Sequence, residues 1–198
     1  MCDECQDKVF AQARPGGQVA SFINRMVLAS LMASLTAASS LLAIPLGPVP
    51  ITLQSLFVLA AGGILGARWG AVSMSLYLLM GMAGLPVFAG GTSGIGKILG
   101  PSGGYLLGFV ISAALVGFLT HRFQGKIYLF LACLAGLALI YSLGSVWLSL
   151  VSRISMENAI ALGVMPFLPG DLVKASLAAL LIARWRVRVK KYDPDSAA

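Results

Sequence analysis

Six apolar segments succeed one another along this chain, at residues 22–44, 51–65, 69–82, 105–120, 127–151 and 171–185. Between Lys8 and Lys191 the only acidic residues are Glu157 and Asp171. Few folds are open to such a pattern. In lipid, backbone N–H and C=O groups must be satisfied within their own segment, so most of the six are expected to be helices. The chain has 198 residues, 11% of them charged, against roughly 25% for a soluble domain. With a mean hydropathy of +0.90, the expected fold is an all-α integral membrane protein. Residues 22–185 would form a bundle of six transmembrane helices, between a tail at 1–21 and a basic tail at 186–198.

The second and third segments are short, at 15 and 14 residues, where about 20 are needed to span a bilayer. Gly66, Ala67 and Arg68 leave room between them for a tight turn only, which implies an antiparallel hairpin. Charge supports the same count. With the N-terminus inside, the inner side holds Lys8, Arg14, Arg25, Arg68, Arg122, Lys126, Arg184, Arg186, Arg188, Lys190 and Lys191, and the outer side only Lys97, Arg153 and Lys174. Eleven against three follows the positive-inside rule with both termini cytoplasmic. Arg25 ahead of an apolar run resembles a signal peptide, but the run continues to Ile44 and further spans follow, so an uncleaved first helix is expected.

This topology places three irregular stretches outside, at 45–50, 84–104 and 152–170. The second reads GLPVFAGGTSGIGKILGPSGG. Loops of this length are more often functional than idle. Glycine permits close backbone approach, so the stretch can fold over a small ligand. Its apolar members, among them Val87, Phe88 and Ile98, argue against a freely solvated loop.

Several functions are excluded. The net charge of +7 sits largely in the cluster from Arg184 to Lys191, directly after an apolar segment, which fits anionic lipid and not nucleic acid. One CxxC at Cys2 and Cys5, a lone Cys133 and a single His cannot assemble the four ligands of a zinc site. GTSGIGKI, residues 91–98, comes within one residue of a phosphate-binding loop. Ile98 stands where the magnesium-binding hydroxyl belongs, and no strand or acidic partner frames it. No nucleophile lies with a base, since His121 falls on the opposite side, beside Arg122. Binding is favoured over catalysis, with no metal and no cofactor.

The binding candidates centre on Asp171 and Lys174. Three residues apart on a helix, they share one face, and each ionised group at membrane depth costs about 2.5 to 3.5 kcal/mol on insertion scales. Such charges face a cavity, a partner or a substrate. A plain alternative is a helix start, with Asp171 near the positive dipole end and Lys174 paired to it. The functional reading gives the pair a polar ring with an amide-like edge, the carboxylate accepting N–H bonds and the ammonium donating. The apolar remainder of such a ligand suits Phe88, Tyr105 and Phe167. Gln54, at the outer end of the second segment, must bond either the proline-rich loop or a ligand. Glu157 and Asn158 lie on a short amphipathic stretch and look interfacial. Ala29, Ala33 and Ala37 recur every four residues, a spacing that lets another helix approach, within this chain or from a second membrane protein.

GPVPITLQSLFVLAAGGILGARWGA, LPVFAGG, GPSGGYLLGF and LPGDLVKA occur in this order from about Phe22 to Trp185. Together they resemble the BioY family, the biotin-specific membrane components of energy-coupling-factor transporters. Ser102 stands where family members commonly have Thr, and Lys97 is less typical of the family's loop. The resemblance implies six helices with cytoplasmic termini in a prokaryotic plasma membrane, enclosing one biotin near the outer face beneath the glycine-rich loop. It implies that Asp171 and Lys174 contact biotin, and it leaves the carboxylate tail to N–H groups around Gly91 and Thr92, or to Lys97. It further implies a separate transmembrane coupling subunit and cytoplasmic ATPases, with Ala29, Ala33 and Ala37 matching the family's docking motif. A component for another vitamin, a membrane enzyme acting on a cofactor or lipid, and a structural subunit are the competing readings.

Overall fold

The computed structural model describes residues 15–44, 49–123 and 125–192. Cys2, Cys5, Lys8, Arg14 and part of the proline-rich stretch at 45–50 lie outside the described residues. Among those described there are seven helices: α1 (Pro15–Ser40), α2 (Gln54–Met82), α3 (Ile95–Leu99), α4 (Gly103–Arg122), α5 (Lys126–Ser152), α6 (Met156–Gly163) and α7 (Leu168–Tyr192). Four of them, α1, α2, α4 and α5, are long and apolar enough to cross a membrane, and α6 with α7, bent by 58°, makes a fifth if counted as one span. The chain is thus a multi-pass membrane protein.

Two expected segments fall within α2, whose helical geometry is interrupted at Gly66 (φ 83°, ψ 175°). Side chains other than hydrogen are essentially excluded from that region, and the reversal there brings distant residues together. Gln54 Nε2 donates to the Tyr77 hydroxyl at 2.5 Å, although 23 residues of straight helix would hold the two roughly 35 Å apart. Gly62 and Gly70 face each other so closely that a Cβ on Gly70 would sit 2.8 Å from Gly62 Cα. Residues 54–65 and 67–82 therefore lie side by side, an antiparallel hairpin closed by glycine.

This hairpin is the centre of the molecule. It packs against α1, α4 and α7, and α5 closes the bundle against α4 and α7. α1 ends at Ser40, short of the expected Ile44. Ile44 instead exchanges backbone hydrogen bonds with Ile51 at 2.8 and 2.9 Å, folding the connection to α2 back on itself. α1 begins before Phe22, and α7 continues past Trp185 into the expected basic tail.

The small-residue stripe of α1 is turned inwards. Ala29 and Ala33 are buried at 2% and 0% exposure, and Ala37 is half-buried. Ser73 of α2 donates to the Ala29 carbonyl at 2.7 Å, so the two helices run close together at this point. Ala29 and Ala33 therefore pack within the chain.

The two ends of the bundle differ. At one end, Phe22 meets Trp69 edge-on with ring centroids 5.4 Å apart, Phe123 stacks on Tyr128 at 5.9 Å, and the Gly66 turn lies beside His121. Arg68, Arg122 and Lys126 are at this end. The opposite end holds residues 41–44 and 49–53, the glycine-rich stretch and α6. Gly90 N–H donates to the Ser40 carbonyl at 3.1 Å and Gly94 N–H to that of Gly81 at 2.8 Å, seating the glycine-rich stretch on α1 and α2.

Candidate functional site

α7 starts with Leu168, Pro169 and Gly170, and Asp171 in its first turn carries a carboxylate directed away from the helix backbone. Oδ1 accepts from Ser55 Oγ at 3.1 Å and from Lys174 Nζ at 2.6 Å, and Oδ2 accepts from the Tyr141 hydroxyl. Lys174 also donates to the Thr52 carbonyl at 2.5 Å. Asp171 and Lys174 are 5% and 7% exposed. Their partners come from the hairpin, from α5 and from the segment ahead of α2, so the pair joins three parts of the fold and is more than a capped helix end.

The network continues through Gln54. Thr52 Oγ1 donates to Gln54 Oε1 at 3.0 Å, and Gln54 Nε2 donates to Tyr77. No buried side-chain nitrogen or oxygen among the described residues lacks a partner, as buried polar groups require. Both partners of the Gln54 side chain among the described residues, Thr52 and Tyr77, lie outside the proline-rich stretch at 45–50 that was the expected alternative to a ligand.

These groups form the polar side of a cavity of about 600 Å³, measured with its mouth, at the end of the bundle that carries the glycine-rich stretch. Thr52, Gln54, Ser55, Tyr141, Asp171 and Lys174 line one part of it; Phe88, Tyr105, Leu106, Phe109, Ile140 and Phe167 line another. Phe88 is fully buried and stands edge-on to Tyr77, centroids 5.7 Å apart. Tyr105 donates to the Gly163 carbonyl at 3.0 Å, tying the end of α6 to α4 beside the cavity. Lys97, on α3, completes the lining as a second cation.

Of the residues singled out by sequence, Asp171, Lys174, Gln54, Phe88, Tyr105, Phe167 and Lys97 are brought together on this lining. Gly91 and Thr92 are not. Their N–H groups donate to the Phe88 carbonyl at 2.9 and 3.2 Å, and the Thr92 hydroxyl to the Ala89 carbonyl at 3.1 Å. Glu157 and Asn158 are exposed on α6. Sequence reasoning missed Tyr141, Ser55, Thr52 and Phe109. Tyr141 sits inside an unbroken apolar run, and only the register of α5 against α7 reveals that it meets Asp171.

A multi-pass helical bundle with one end hollowed into a cavity, apolar and aromatic over one part and holding a buried ion pair over another, defines a membrane protein shaped around a small, partly polar molecule. The chain belongs to the BioY family, whose model matches residues 11–191. It is 40% identical over 157 residues to a probable biotin transporter of Pyrococcus horikoshii, covering 79% of this chain and 93% of that protein. It is 36% identical over 173 residues to a biotin transporter of Thermotoga maritima, covering 87% and 99%. Its fold matches a crystal structure of the S-component for biotin from an ECF-type ABC transporter, with a TM-score of 0.80 and 31% identity, over 84% of this chain and 93% of that one.

Proposed function

We propose that this chain is the substrate-binding component that captures biotin at the outer face of the plasma membrane and mediates its uptake together with a transmembrane coupling subunit and cytoplasmic ATPases. It is a transporter component and not an enzyme. The observation that carries the reading is the ion pair of Asp171 and Lys174, set in a cavity lined with aromatic rings, in a chain of this family. A ureido ring presents N–H donors beside a carbonyl. Asp171 accepts from the ring, and Lys174 donates to the same ligand while keeping its bond to Thr52.

The thiophane ring and aliphatic chain then lie among Phe88, Tyr105, Phe109 and Phe167. Because the Gly91 and Thr92 N–H groups are engaged by Phe88, we assign the ligand carboxylate to Lys97, a half-buried cation with no ion-pair partner among the described residues. Counting the two limbs of α2 separately and α6 with α7 as one bent span gives six crossings. Both termini are then cytoplasmic, with the basic end of α7 against anionic lipid.

Biotin binding to the purified protein, in competition with thiamine and riboflavin, tests the ligand. Displacement by either vitamin, or recovery of chemically altered biotin, would contradict the reading. Lys97→Met is expected to weaken biotin roughly tenfold or more, a loss typical of a hydrogen bond to a charged group, and to leave biotin amide nearly unaffected. Equal losses for both ligands would remove Lys97 from the tail site.

A further inference from the structure

Tyr141 reaches Asp171 from α5 and borders two hollows, the cavity that the ligand would fill and a second one beside it. Asp171 accepts three hydrogen bonds, from Ser55 and Lys174 on Oδ1 and from Tyr141 on Oδ2. An ionised carboxylate has about four lone-pair positions, so one remains, on Oδ2. Tyr141 and Asp171 also face a second void, an apolar crevice of about 390 Å³ between α5 and α7 whose other walls are Leu134, Leu137, Ala138, Leu168 and Leu172. A carboxylate oxygen turned to such walls without a partner is costly to bury. Tyr141 carries the one hydroxyl on that lining. It stands where the polar site would otherwise open onto hydrocarbon.

We propose that Tyr141 is a positioning residue for ligand recognition. By bonding Oδ2 from the wall between the two hollows it fixes the plane of the Asp171 carboxylate, and it leaves a single acceptor position for the ligand. Asp171 then reads one of the two ureido N–H groups, and the other must find a different acceptor. Ser55 and Lys174 hold the other oxygen, so the carboxylate is clamped at both ends before ligand arrives. Removing the Tyr141 hydroxyl frees the carboxylate to turn, and the remaining lone pair no longer meets the N–H in line. The inference rests on biotin being the ligand.

The test crosses a change in the protein with a change in the ligand. Wild-type protein and Tyr141→Phe are titrated calorimetrically with biotin and with its two analogues methylated at one or the other ureido nitrogen. Tyr141→Phe is expected to weaken biotin about ten- to a hundredfold, the range for a lost hydrogen bond to a charged group. For the analogue that lacks the N–H facing Asp171, the same substitution is expected to change affinity by less than about threefold, because there is no N–H left to misalign. Equal weakening of all three ligands would reduce Tyr141 to a packing role and overturn the proposal, as would unchanged biotin affinity. Wild-type protein that fails to bind biotin would overturn the ligand reading, and this inference with it.

Discussion

At the scale of single residues, the site depends on charges that cannot be separated cheaply. Asp171 and Lys174 are 2.6 Å apart and almost fully buried, and removing one partner of such a pair costs about 3–5 kcal/mol because the other is left uncompensated. Lys174→Ala is therefore expected to lose biotin binding and also to lower the unfolding temperature of the ligand-free protein in detergent. Unchanged thermal stability would mean that the pair is not held together in the absence of ligand. This pair was legible in the sequence because charge is so rare there. Its supporting hydroxyls were not: Ser55 and Tyr141 lie in apolar runs, 116 and 30 positions from Asp171, and nothing local distinguishes them from ordinary lipid-span residues. Ala29 and Ala33 were legible in a different way. Their spacing announced a close helix contact, but spacing alone could not tell an internal neighbour from an external one.

At the scale of elements, the hairpin in α2 sets the geometry of the cavity. Gly66 and the shortness of the two flanking apolar segments made the reversal legible in the sequence. The position of Phe88 was not, because it is set by the return of the glycine-rich stretch onto Gly81. A Cβ at Gly81 would lie 2.1 Å from Phe88 Cζ, too close for either group to remain in place. Gly81→Ala is expected to push the Phe88 ring from its seat, with overpacking of this kind costing about 1–3 kcal/mol. Calorimetry should show weaker biotin binding in a protein that still purifies as a monodisperse species. Full affinity in Gly81→Ala would show that Phe88 takes no part in closing the cavity. The register of the loop itself, with Gly91 and Thr92 turned back onto Phe88, follows from backbone hydrogen bonds that no side-chain pattern announces.

At the scale of the whole molecule, the two ends carry different chemistry. Arg68 is exposed at the end formed by the Gly66 turn, and Arg153 is exposed on the opposite side, at the end of α5. With Cys2, Cys5 and Cys133 replaced, a membrane-impermeant maleimide applied to intact cells is expected to label Arg153→Cys at once and Arg68→Cys only after permeabilisation. The reverse pattern would invert the topology and put the cavity on the inner face. The central claim is that the buried carboxylate of Asp171 is what recognises biotin. Equilibrium binding of biotin to the purified wild-type chain and to Asp171→Asn tests it most directly. Wild-type protein is expected to bind one biotin per chain, and the variant to bind at least a hundredfold more weakly, about 2.7 kcal/mol. Equal affinity in the two proteins would contradict it.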